Sequence, residues 1–190
     1  MTDALIVIDV QEEYFSGRLP IAFPPGDAGL GRILAAMDHA SAAGVPVIVV
    51  RHNGEPGEGT FEPGSATHAL RPEVAGRPHD LLVDKTLPGS FTGTGLGDWL
   101  DARGVDHLTI VGYMTNVCCD TTARQAIHAG MGATLLLDAV GVPTMPTVDG
   151  VPLDAETLQR AALAPLALIG VEVITVDAWA SATSATGGPA

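Results

Sequence analysis

The chain has 190 residues, 46% hydrophobic and 16% charged, a composition that suits one substantial core and excludes a disordered chain. Its formal net charge of −13 repels phosphate backbones and anionic lipid headgroups, which argues against nucleic-acid and membrane partners. No apolar run reaches membrane-spanning length, and Met1-Thr2-Asp3-Ala4-Leu5 carries no basic leader, so the expected location is the cytoplasm.

Short apolar runs alternate with segments of helical period. Residues 5–8 read as a buried strand, and 30–43 as an Ala-rich helix stopped by Gly44. A second strand, 47–50, follows Pro46, and a short third one covers 81–83. Trp99, Leu100 and Arg103 belong to a helix that ends at Gly104. The fourth strand is 108–111, followed by a helix from about 118 to 129, and the fifth strand is 134–137. Asp154 caps a helix over 154–168, and 173–176 is the sixth strand. Strands apolar along their whole length and separated by helices imply an α/β fold, a three-layer α/β/α sandwich around a six-stranded parallel sheet. Residues 1–180 are read as a single domain and 181–190, small and polar, as a flexible tail. The Gly- and Pro-rich stretches 52–77 and 141–152 have the length of lids or oligomer contacts.

Open parallel sheets bind ligands beyond the carboxyl ends of their strands. The first strand ends in Asp9 with Gln11 beyond it, the second runs into Arg51-His52, the third delivers Asp84-Lys85, and the fourth leads through Gly112 to Cys118. An acid, a lysine and a thiol thus converge on one edge. Lys85 is the only lysine, whereas the other eight cationic side chains are arginines; a compact ammonium beside a thiol does what a guanidinium cannot. The plain alternative is a solvated strand-end lysine. Cys118 and Cys119 are the only cysteines, and adjacent thiols suit neither a relaxed disulfide nor a zinc site. Cys118 stands where a loop turns into a helix, and the helix start and the ammonium are expected to favour its thiolate. Cys119, one helical step round, reads as a packed neighbour. Asp9 is costly at the end of an apolar strand unless paired, and is read either as a cap or salt-bridge residue or as the acceptor of the thiol proton.

The segment Gly112-Tyr113-Met114-Thr115-Asn116-Val117-Cys118-Cys119-Asp120-Thr121-Thr122-Ala123-Arg124 resembles the nucleophile signature of isochorismatase-like cysteine hydrolases. Val7-Ile8-Asp9-Val10-Gln11 is similar to their first-strand motif, and Asp84-Lys85-Thr86 with Ser90-Phe91 and Thr94-Gly95-Leu96 to their lysine segment. The resemblance implies Asp9 as base, Lys85 as thiolate stabiliser and Cys118 as nucleophile. It implies a cis Tyr113–Met114 peptide and an oxyanion hole built from the amides of Met114 and Cys118. The expected reaction is hydrolysis of a small amide, lactam, carbamoyl or ureido C–N bond through a thioester, with no organic cofactor. Tyr14, Phe91, Tyr113 and Thr115 are expected to line the substrate pocket, and Gln11 is read either as a substrate-binding residue that orients Asp9 or the substrate or as a backbone cap. Family members assemble as homodimers or homotetramers, which implies a homo-oligomer here. Nicotinamidases of the superfamily carry an Asp-x-His…His metal site; this chain has His52 and His68, but Val50 stands where the carboxylate belongs, so no metal is expected. Three other readings are an isochorismatase-type vinyl ether hydrolase, a non-catalytic flavodoxin-like protein holding a phosphate at Gly93-Thr94-Gly95-Leu96-Gly97, and a redox protein using the paired thiols. Cys118 argues against the first, and the missing dinucleotide spacing against the second.

Overall fold

The computed structural model describes residues 2–145, 149–151 and 153–186. In chain order the first half holds β1 (Asp3–Ile8), β2 (Ile21–Phe23), α1 (Gly26–Ala43), β3 (Val47–His52), α2 (Pro72–Ala75), β4 (Leu81–Lys85) and α3 (Leu96–Asp101). The second half holds β5 (His107–Tyr113), α4 (Asp120–His128), β6 (Gly132–Pro143), α5 (Ala155–Leu168), β7 (Glu172–Ile174) and α6 (Val176–Thr186).

These elements build one α/β domain. The sheet order is β2-β6-β5-β1-β3-β4, with β7 beside the first half of β6. Strand β1 is central, flanked in parallel by β5 and β3, and its side chains serve two faces in turn. Leu5 and Val7 meet Leu30, Ile33 and Met37 of α1 and Trp179 of α6. Ala4, Ile6 and Ile8 meet Leu100 of α3, Ala123 and Ala126 of α4 and Leu166 of α5. A strand buried on both faces has no polar side to show, which is why the sequence reads as an unbroken apolar run. Each fully buried aliphatic of this kind contributes about 1.5–3 kcal/mol.

Local signals end the elements where expected. Gly44, at φ 70°, closes α1 in the left-handed conformation. The Asp154 carboxylate accepts the Thr157 N–H at 2.9 Å and starts α5.

The structure departs from the sequence reading in four places. Seven strands, not six, stand among the described residues, and the added β2 is antiparallel to the end of β6. It spans three residues between Pro20 and Pro24, too few to show a period. The fifth strand extends to Pro143, so the stretch read as a loop from 141 begins as paired sheet; positions 146–148 and 152 of that stretch lie outside the described residues. The segment read as a tail from Ser181 continues α6 as far as Thr186, and 187–190 lie outside the described residues. The helix after the fourth strand opens with a π-helical turn, Thr115–Cys119, before α4. No helix among the described residues is long and apolar enough to cross a membrane.

Candidate active site

Four neighbouring strands, β5, β1, β3 and β4, end at one edge of the sheet, and each delivers a chemically active side chain there. Cys118 lies in the π-helical turn after β5, Asp9 directly follows β1, and His52 and Lys85 are the last residues of β3 and β4. Asp9 adopts φ 52°, a left-handed turn that a short polar side chain tolerates better than a bulky one. Its N–H donates to the Val50 carbonyl at 3.0 Å, and its carbonyl accepts the Gln11 N–H at 2.8 Å. Beside it Gly112, at φ 111°, pairs with Ile8, and a Cβ there would collide with the Ile8 backbone. Glycine at that position lets the acid and the thiol turn converge. The Tyr113–Met114 peptide that follows is cis.

Lys85 Nζ lies 2.7 Å from Asp9 Oδ2, 3.4 Å from Cys118 Sγ and 3.1 Å from His52 Nδ1. The Asp9 and Lys85 side chains are wholly buried, and Cys118 is 7% exposed. Lys85 and Cys118 both bear on the Asp9 carboxylate, whose oxygens have no other hydrogen-bond partner among the described residues. A carboxylate with open lone pairs is free to accept a proton.

Burial raises the Asp9 carboxyl above its ordinary range, against the opposing charge of Lys85. Burial works against the Lys85 ammonium, but Asp9 and Cys118 outweigh it and raise its pKa, so it stays charged. Burial and then the Asp9 charge push the Cys118 thiol up to about 12, against the pull of Lys85. This corrects the sequence expectation of a resting thiolate. One carboxylate and one ammonium already balance in the closed site, and a thiolate would add an unpaired charge. Cys118 rests as a thiol beside a base. Cys119 is completely buried, and its thiol is raised well above its usual value, first by burial. Both thiols are free.

The structure brings Asp9, Lys85 and Cys118 together and separates some of the residues assigned to the pocket. Gln11 is fully buried, its Nε2 donating to the carbonyls of His52 (2.9 Å) and His68 (2.8 Å) and its Oε1 accepting the His52 N–H (2.8 Å). Both its amide hydrogens are used, so it braces backbone and has none for a substrate. Tyr113 is likewise a core residue, fully buried, with its hydroxyl 3.5 Å from the Gly26 carbonyl of α1. Tyr14 packs in tilted contact with Tyr113 and Phe61, at centroid distances of 5.4 and 5.2 Å. Phe91 is half-buried against the α3–α4 core, and its N–H donates to Gln125. Thr115 is fully buried, and its Oγ1 has no hydrogen-bond partner among the described residues. Gly93 and Gly95 flank a turn in which Thr94 Oγ1 donates to the Ser90 carbonyl at 2.6 Å.

His52 joins the cluster without having been assigned a part in it. Its legible signal was its place at the second strand end, directly opposite Lys85 in the β3–β4 register. His68 Nε2 lies 2.6 Å from Asn53 Oδ1. No three His, Cys, Asp or Glu side chains among the described residues gather as metal ligands.

Cavities of about 260 and 370 Å³ lie at the opposite, amino-terminal edge, around Val47 with Asp80 and around Asp3 with His107. One of about 230 Å³, lined by Tyr14, Phe15 and Arg71, lies at the carboxyl edge. Cavity size therefore does not mark the reactive cluster; its buried charges do.

The fold is an α/β sandwich with a cluster of buried ionisable groups at the carboxyl edge of a parallel-dominated sheet. The chain belongs to the isochorismatase family: residues 3–178 match the Isochorismatase domain. It is 34% identical to the secreted isochorismatase effector Isc1 of Verticillium dahliae, over 86% of this chain and 82% of that one. It is also 34% identical to a streptothricin hydrolase of Streptomyces noursei, over 78% of this chain but only 54% of that longer protein. To the ureidoacrylate amidohydrolase RutB of Variovorax paradoxus it is 31% identical, over 72% of this chain and 67% of the relative. An isochorismatase-family crystal structure from Burkholderia xenovorans LB400 superposes with a TM-score of 0.94 at 40% identity, covering 100% of this chain and 90% of the other.

Proposed function

We propose that this chain is a cysteine-dependent amidohydrolase that cleaves a small amide, lactam, carbamoyl or ureido C–N bond through a thioester on Cys118. The observation that carries the reading is one buried ammonium, Lys85, held 2.7 Å from Asp9 and 3.4 Å from Cys118 Sγ. The amidohydrolase and streptothricin hydrolase relatives support the bond class.

Each step keeps the site near neutrality. As Cys118 Sγ attacks the carbonyl carbon, its proton passes to Asp9, and the negative charge moves onto the carbonyl oxygen. Lys85 remains beside the sulfur throughout and offsets the charge that develops there. The amides of Met114 and Cys118 receive the oxyanion. Collapse breaks the C–N bond, and the departing nitrogen takes the proton from Asp9. Asp9 then removes a proton from water, the hydroxide attacks the thioester, and C–S cleavage returns that proton to sulfur. Net consumption is one water, and the products are an acid and an amine or ammonia.

The test is an amine- and ammonia-release screen over a panel of small amides, lactams and ureido compounds. The wild type should turn over at least one class, and Cys118→Ala should lose on the order of 10⁴-fold or more in kcat while keeping its melting temperature. Full activity in Cys118→Ala would remove the nucleophile.

A further inference from the structure

Lys85 has three N–H bonds, and the structure surrounds it with three acceptors: Asp9 Oδ2, Cys118 Sγ and His52 Nδ1. An ammonium has no lone pair, so at 3.1 Å the imidazole nitrogen must be the acceptor. Nδ1 is therefore bare, and the ring proton sits on Nε2. The electrostatics agree: burial first, then the charges of Lys85 and His68, bring the His52 pKa down to about 4, so the ring is neutral at physiological pH.

The ring is also held in place. His52 pairs with Lys85 across the β3–β4 ladder, so both side chains leave the sheet side by side. Gln11 clamps the His52 backbone from both sides, accepting its N–H and donating to its carbonyl. Phe61 stands nearly perpendicular to the ring, at a centroid distance of 5.2 Å. Gln11 and Phe61 thus act on the site through His52.

We propose that His52 is a positioning residue for this reaction: its neutral Nδ1 takes the third N–H of Lys85 and holds the ammonium between Asp9 and the Cys118 sulfur. The proposal rests on the cysteine mechanism for its catalytic meaning, but the contact itself does not. Without a third acceptor, the ammonium on its flexible four-carbon stem would move toward the carboxylate, the stronger partner. A neutral acceptor restrains it without adding charge. An anion at position 52 would disturb the balance of the site, and a cation would repel Lys85.

Because Lys85 is the only lysine, selective ¹⁵N-lysine labelling gives a single side-chain ammonium resonance that reports this contact in the intact protein. Three proteins decide the matter: wild type, His52→Ala, and His52→Asn, whose side-chain oxygen can replace Nδ1 as an acceptor. In His52→Ala the Lys85 ammonium signal should shift and its protons should exchange faster with water, whereas His52→Asn should stay close to wild type. In saturation kinetics His52→Ala should lose about 10- to 100-fold in kcat with little change in KM, and His52→Asn should recover most of it. An unchanged Lys85 signal in His52→Ala overturns the proposal, whether or not a substrate has been found. So does a recovery by Asn no better than that by Ala. Activity retained in Cys118→Ala while the His52 series behaves as described would instead count against the cysteine mechanism alone.

Discussion

Each edge of the sheet holds a sequestered carboxylate, and the two are kept in different ways. At the amino-terminal edge Asp3 Oδ2 accepts the Thr109 hydroxyl at 2.8 Å and the Trp179 indole N–H at 3.3 Å, which fastens α6 to the sheet. At the carboxyl edge Asp9 faces the Lys85 ammonium and the Cys118 thiol, and its oxygens have no other hydrogen-bond partner among the described residues. Burial raises both carboxyls. The difference lies in the partners. Neutral donors tie Asp3 Oδ2 to the sheet and α6, with Oδ1 unpartnered among the described residues, whereas Asp9 faces a buried cation and a thiol, the pairing on which the proposed proton transfer rests.

Three experiments bear on this difference between the two carboxylates. Asp9→Asn removes the base while keeping the shape, and kcat should fall by about 10²- to 10⁴-fold; near-normal turnover, measured on any substrate from the amide screen, would make Asp9 only a partner for Lys85. The second concerns the thiol. With its pKa pushed up to about 12, Cys118 should show no ultraviolet thiolate step between about pH 6 and about pH 10, where an ordinary thiol ionises near 8.5. Both tyrosines are raised as well, so tyrosinate should not obscure that window. A step near neutrality would restore the resting thiolate and deprive Asp9 of its part in the first proton transfer. The smallest effect belongs to the other edge: Asp3→Ala should cost about 1–3 kcal/mol of stability through the bonds to Thr109 and Trp179, read by denaturant melts, and leave kcat unchanged. A large loss of activity there would erase the distinction between the two carboxylates.

The same contrast explains what could be read in the sequence. Strand ends follow from apolar runs, and listing what comes after them found Asp9, Lys85 and Cys118, because a parallel sheet gathers those ends at one edge. The layered architecture was legible for the same reason. Strand β2 was not, since three residues carry no period and its partner is 119 or more positions away. The part played by His52 depends on the register between β3 and β4, which no local pattern encodes. Between the two readings of Gln11 the sequence does not decide; the backbone of His52 and His68, closing around its amide, selects the cap. The protonation of the thiol is not legible, because the helix start and the ammonium are visible in the sequence whereas the depth of burial that outweighs them is set by tertiary packing.

In the proposed reaction sulfur 118 becomes covalently acylated during turnover. Acid quenching of the wild-type protein while it consumes a substrate, followed by mass spectrometry of its peptides, reads this directly. The peptide containing Cys118 should carry an added mass equal to the acyl fragment, and the corresponding peptide of Cys118→Ala should carry none. Sustained turnover with that peptide unmodified, and with the alanine variant equally active, would contradict it.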